Sequence, residues 1–190
     1  MLPKTEYPTF SLNLPISKKE MQFRVMTLKE ERIILTAQES KNIIDLMDAM
    51  LICINNCAVG DVNLEKLPFF DLQYIYLYLR SNSVGSIAKI LIPDDYDKFA
   101  RHEVAVDIED VRLNFDDYVE DNIIKFTADT GLVMRHPDFK AARTINKISN
   151  DTDKVMLFVR LCIKSIFDSE NVYAEHTFTD KELEEYIDNL

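Results

Sequence analysis

The run Phe69–Ile92, FFDLQYIYLYLRSNSVGSIAKILI, decides how this chain is read. Leu72, Ile75, Tyr76, Leu79 and Val84 recur near a period of 3.6, which predicts a helix over Asp71–Arg80. Asp71 is the expected N-cap, behind Pro68 and two aromatics that can pack back on the first turn. Phe70, Tyr74, Leu77 and Tyr78 fill the remaining sides, so the helix is expected inside a core rather than on its surface. Ser81-Asn82-Ser83 with Gly85 is turn chemistry, and Ile87–Ile92 then reads as a strand.

Upstream, Thr9/Ser11/Asn13 alternate with Phe10/Leu12/Leu14, and Met21/Phe23/Val25 alternate again after the turn residues 15–20. This pattern predicts an N-terminal β-hairpin. Thr27 with Glu30 three residues on forms a capping box, opening a helix that carries Leu28, Ile33, Ile34 and Ala37. A second helix is predicted over Lys41–Val59 with Ile44, Met47, Leu51 and Ile54 as its stripe, about 28 Å long. It is closed by Gly60-Asp61.

Downstream, strands are predicted over Ile90–Ile92, Glu103–Ile108, Val111–Phe115, Ile123–Phe126 and Leu132–Arg135. An acidic loop and the turn Ala128–Gly131 divide them. Phe139–Ile148 reads as a short helix, and Val155–Phe167, capped by Thr152 or Asp153, as a strongly buried one. Thr179 caps a last helix over Asp180–Leu190, with Glu182 in the capping-box position and Leu183, Tyr186, Ile187 and Leu190 on one face. The expected fold class is α+β. It comprises the N-terminal hairpin, a helical core around 71–80, a small antiparallel β lobe over 87–135 and the C-terminal helices, in a single domain spanning 1–190.

Composition narrows the function. The 190 residues are 47% hydrophobic and 29% charged, with three Gly and six Pro, which fits a folded chain rather than a disordered one. With 22 basic and 33 acidic residues the net charge is −11, a surface that repels a phosphate backbone or an anionic membrane. No nucleic-acid or membrane partner is therefore expected. Met1-Leu2-Pro3-Lys4 leads into a polar strand pattern rather than a secretory signal, and the odd set Cys53, Cys57 and Cys162 fits a reducing cytoplasm.

Each candidate for chemistry has a plainer reading beside it. Cys53 and Cys57 share a helix face, as a metal or redox pair would, but among Leu51, Ile52 and Ile54 they read as core. His102, His136 and His176 lie apart from one another, as surface or turn residues do. Asp94, Asp95 and Asp97 with His102, and the pair Asp116-Asp117, are acids suited to a divalent cation or to acid–base work. The stretch Asp94–Ala105 lacks the central Gly of an EF-hand, and solvated loop acids are the preferred reading. The alternative is a small metal-dependent hydrolase using Asp94–His102. No catalytic, cofactor-binding or metal-binding residue is assigned. Asp168–Leu190 holds eight acidic residues and one Lys, yet its helix keeps an apolar face. Such a helix docks on its own domain or into a groove on a partner.

Several short motifs resemble the baseplate hub proteins of T-even-type contractile-tailed phages, a family with a hub subunit and a related hub assembly factor. They are Phe70-Asp71-Leu72 with Tyr74, Leu79-Arg80-Ser81 and Ser83-Val84-Gly85. The likeness extends to Glu6-Tyr7-Pro8-Thr9, Phe23-Arg24, Thr27–Glu31, Leu132–Pro137 and the closing Phe178–Leu190. It implies structural roles for Asp71, Arg80, Ser83, Val84 and Gly85. It also implies a non-enzymatic protein, subunit or assembly chaperone, made in the host cytoplasm and acting on other hub or tail proteins. Phe178, Leu183, Tyr186, Ile187 and Leu190 are then the expected partner-binding residues. Where relatives tend to carry a Cys-x-x-Cys-like pair after the Ser-Val-Gly motif, this sequence has Asp94, Asp95, Asp97 and His102, so no structural zinc site is expected.

Overall fold

The structure, a computed structural model, describes residues 6–94, 100–111, 113, 122–175 and 177–188. It is α+β, and the chain folds as two compact units, Met1–Leu113 and Asn114–Leu190.

The first unit opens with the expected hairpin. β1 (Thr9–Asn13) pairs antiparallel with β2 (Glu20–Arg24), Phe10 opposite Phe23 and Leu12 opposite Met21. Alternation puts Leu12, Met21 and Phe23 on the buried side. α1 (Leu28–Glu39) starts at Thr27 in the predicted capping box. α2 (Ile43–Cys57) is capped by Asn42, whose Oδ1 accepts from the Ile44 N–H at 2.9 Å. Its buried stripe is Met47, Met50, Cys53, Ile54 and Cys57. The predicted stripe is thus rotated, with Ile44 and Leu51 only half-buried.

The organising helix, α3, runs Phe69–Val84 and so exceeds the predicted 71–80 at both ends. Ser81-Asn82-Ser83 are its last turn instead of a loop. Asn82 Nδ2 donates to the Tyr78 carbonyl at 2.8 Å and Ser83 Oγ to the Leu79 carbonyl at 2.5 Å, so these polar side chains bond within the helix. Pro68 takes the cap position and Asp71 lies inside the first turn. Nor is α3 surrounded by core. Asp71, Leu72, Ile75 and Leu79 form one buried face, whereas Phe70 and Val84 are exposed. Tyr74 and Tyr78 cover each other on the outer side, ring centroids 4.7 Å apart.

β3 (Ile87–Pro93) and β4 (Arg101–Asp107) follow as a two-stranded antiparallel ribbon. At its base Ile108 is buried and its N–H donates to the Ser86 carbonyl at 2.9 Å.

The second unit is a four-stranded antiparallel sheet in the order β5 (Ile123–Lys125), β6 (Gly131–Met134), β7 (Ile163–Phe167), β8 (Val172–Ala174). The strands expected together over 87–135 are thus divided between two sheets, and most of the strand expected at Val111–Phe115 lies outside the described residues. α4 (Phe139–Ile145) is capped by Asp138, and α5 (Asp151–Cys162) by Asn150 rather than Thr152 or Asp153. α5 ends five residues before the predicted Phe167, because Ile163–Phe167 pairs with both β6 and β8 as an inner strand of the sheet. Nor is α5 strongly buried: Val155 and Phe158 lie on the surface, and Cys162 is its fully enclosed residue. α6 (Asp180–Asp188) closes the unit.

Candidate functional site: contact surfaces of the two units

Asp71 is an internal anchor of the first unit. Its carboxylate is buried, and Oδ1 and Oδ2 accept the backbone N–H groups of Ile16 and Ser17, each at 2.9 Å. One side chain of α3 thereby satisfies two donors at the tip of the β1–β2 hairpin. Near the far end of α3, Ser83 Oγ accepts the Met26 N–H at 2.8 Å. Arg80 Nη1 donates to the Gly85 carbonyl at 3.0 Å, closing the helix where Gly85 turns at φ 120°, a conformation that favours glycine.

The same unit encloses an ion pair at the start of α1. Glu30 has 1% side-chain exposure, and its carboxylate receives Arg24 Nη2 on Oε1 at 3.0 Å and Arg24 Nη1 on Oε2 at 3.3 Å. Oε2 also accepts the Thr27 N–H at 2.9 Å and the Thr27 hydroxyl at 2.6 Å. Burial pushes the Glu30 carboxyl up, but the Arg24 and Thr27 hydrogen bonds outweigh it and hold the group at about 2. Arg24 in turn lies over the Tyr7 ring, 5.6 Å from its centroid.

The β3–β4 ribbon is the most exposed apolar element of the first unit. Register puts Ile90 opposite Val104 and Ile92 opposite His102, so Ala88, Ile90, Ile92, Val104 and Val106 share one face. Ile90, Ile92 and Val104 on that face are exposed, and so is Leu91 on the other, at 59%. Besides Leu91 that second face holds the exposed Ile87 and the ion pair Lys89–Glu103 at 2.8 Å. This surface was not singled out from the sequence. The signal was present, since β3 carries large apolar residues at both odd and even positions, as a strand covered on both faces does.

His102 Nε2 and Asp94 Oδ2 are 2.7 Å apart on this ribbon, with His102 65% exposed. Asp95 and Asp97, the other acids of the candidate loop, lie outside the described residues, as do Asp116, Asp117 and His176. Among the described residues no three His, Cys, Asp or Glu side chains gather as a metal site would require. Cys53, Cys57 and Cys162 are all buried, and Cys53 Sγ donates to the Glu30 carbonyl at 3.4 Å. Burial pushes the Cys53 and Cys57 thiols up to about 11.

In the second unit, Arg135 of the Leu132–Pro137 motif joins three elements. Its N–H donates to the Cys162 carbonyl at 2.6 Å, its Nε to the Leu161 carbonyl at 3.2 Å, and its Nη1 meets Glu175 Oε2 at 2.5 Å. α6 begins in the predicted capping box, Thr179 donating to Glu182 Oε2 from N–H at 2.7 Å and from Oγ1 at 2.8 Å. Its Leu183 is buried with Leu132, Ile163 and Ile166, and Phe178, Tyr186 and Ile187 pack against that cluster half-buried. Leu190 lies outside the described residues. Phe178 and Tyr186 also line a groove of about 410 Å³ beside α6, together with Phe167, Tyr173, Asp168 and Glu182.

These observations define an α+β protein of two compact units whose open features, among the described residues, include an apolar ribbon and an apolar groove. No helix among the described residues is long and apolar enough to cross a membrane. The family profile described as T4 bacteriophage base plate protein matches residues 7–190, and the chain belongs to that family. Membership makes it a phage base plate protein and implies contact with other base plate and tail proteins. No curated protein matches the chain, and no solved structure does.

Proposed function

We propose that the chain is a protein of the baseplate hub, acting by docking onto other hub proteins and not by catalysis. The observation that carries this reading is the β3–β4 ribbon. A two-stranded ribbon is marginal in water by itself, and this one leaves Ile90, Leu91, Ile92 and Val104 exposed. Covering them by a partner would contribute about 1 kcal/mol for each half-exposed side chain. Apolar patches of this kind mark protein contacts. The motifs around Asp71–Gly85 add the hub resemblance, and their side chains hold structure together. Two modes fit the reading, a subunit retained in the virion and an assembly factor that engages hub proteins and leaves.

Mass spectrometry of purified particles beside a pull-down from infected-cell lysate tests it. Hub proteins captured from lysate, with the chain also present in particles at fixed copy number, make it a subunit. Capture from lysate with absence from particles makes it an assembly factor. Absence of hub proteins from the pull-down, or capture unchanged by Ile90→Asp combined with Val104→Asp, sinks the proposal.

A further inference from the structure

The groove beside α6 combines two chemistries. Its lining is mostly apolar, with Ile166, Phe178, Leu183 and Tyr186, and includes two acidic residues, Asp168 and Glu182. At about 410 Å³ it falls in the range of roughly 300–1,000 Å³ usual for pockets that enclose a ligand.

Both acids are built in rather than loosely placed. Asp168 Oδ1 accepts the N–H groups of Glu170 and Asn171, each at 2.8 Å, and Oδ2 accepts the Tyr173 hydroxyl at 3.1 Å. Glu182 Oε2 is held by Thr179. The backbone N–H groups of Glu170 and Asn171 keep the Asp168 carboxyl below its ordinary range, and the Thr179 N–H does the same for Glu182. Both therefore remain charged at neutral pH. Lys181 pairs with Glu185 at 3.6 Å and Arg160 with Glu184 at 3.9 Å. Among the described residues the charged ones lining the groove are Asp168 and Glu182, both acidic, so the charge at the groove is negative.

We propose that this groove receives a segment of a partner protein in which an apolar side chain, aromatic or aliphatic, is flanked by lysine or arginine. The apolar anchor displaces water from the apolar lining, and the flanking cations meet Asp168 and Glu182. Complementary charge of this kind sets partner choice and association rate as well as affinity. The proposal rests on the docking reading above and names the chemistry of what docks.

Fluorescence anisotropy of the full chain tests it with three labelled peptides: acetyl-Lys-Lys-Leu-Phe-Lys-Lys-amide, its counterpart with Glu for every Lys, and a version with Gly for Leu and Phe. The first should bind about tenfold more tightly than either control at about 50 mM salt, and the margin should shrink at about 300 mM. Asp168→Asn with Glu182→Gln keeps one acceptor oxygen on each side chain for the Glu170, Asn171 and Thr179 N–H groups. The double variant turns the contact with the Tyr173 hydroxyl into one donated by the amide, and removes both charges. It should weaken the first peptide about five- to tenfold with an unchanged circular dichroism spectrum. Phe178→Ala removes part of the apolar lining without touching either acid and should weaken the same peptide independently.

Equal binding of all three peptides overturns the proposal, as do chemical-shift changes that map to the β3–β4 ribbon instead of Phe178 and Tyr186. Dimerisation of the chain that both variants abolish would make a second copy the occupant, and also overturns it. Peptide binding as expected without hub-protein capture would keep the groove and sink the hub reading. Hub capture with no preference for the first peptide would do the reverse.

Discussion

Glu30→Gln removes the charge from the most enclosed ion pair described in the protein while leaving a side chain of similar shape. In the folded state the Glu30 carboxyl sits at about 2, against 4.5 for the free group. With 1% exposure there is little solvent screening to discount, and the gap corresponds to about 3 kcal/mol of stability at pH 7. Because the folded value lies below the unfolded one, this contribution is complete above pH 4.5. It is lost as the pH falls towards 2. Urea denaturation of the wild type and Glu30→Gln, repeated from pH 7 to pH 3, reads it directly. The difference in unfolding free energy should be about 3 kcal/mol at pH 7 and about 1.5 kcal/mol at pH 3. A difference below about 1 kcal/mol at pH 7 would refute the assignment, since it lies within the range of an exposed pair. A difference that stays constant down to pH 3 would refute the role of charge.

Other contacts make further predictions. Asp71→Ala strands the N–H groups of Ile16 and Ser17 and should destabilise the chain by about 2–4 kcal/mol. Hydrogen exchange at those two amides should accelerate selectively, and uniform acceleration would count against a local bolt. Gly131→Ala would set a Cβ against the Ile124 carbonyl oxygen and 2.7 Å from Phe167 Cζ, so a loss of about 2 kcal/mol or more is expected by urea denaturation. The three buried thiols should react slowly with a disulfide reagent at pH 8 in the native state and fully in denaturant. Prompt native labelling at Cys53 or Cys57 would contradict the packing described.

Local signals carried much of the fold. The two capping boxes, Thr27 with Glu30 and Thr179 with Glu182, name their helix starts because the bonding partners are three residues apart. Alternation in residues 9–24 marked the hairpin and its inward face because its paired residues are at most 15 apart along the chain, Thr9 opposite Arg24. What the chain hid are decisions made at a distance. Asp71 has the composition of a cap, but its donors lie 55 and 54 residues upstream. Ile163–Phe167 continues a helical apolar period, and only β6 and β8 on either side turn it into strand. The candidate surfaces divide the same way. Leu183, Tyr186 and the capping acid Glu182 were visible in the last helix, whereas Asp168 reaches the same groove from the β7–β8 turn.

The bonds from Asp71 and Ser83 back to the hairpin also set a schedule. At about 5–20 residues per second, the group that closes the Ile16–Ser17 tip is synthesised roughly 3–11 s after it, given a separation of 55 residues. Until then the hairpin tip lacks its acceptors, and β2 is braced by the segment after α2, where the Val59 N–H donates to the Gln22 carbonyl at 2.9 Å. A two-stranded hairpin without its full set of partners is marginal in water. On the ribosome the N-terminal ribbon is therefore a late-setting part, and its commitment waits for α3 to emerge from the exit tunnel. Truncated chains ending before Asp71 should leave it open to protease, while chains extended past Gly85 should protect it.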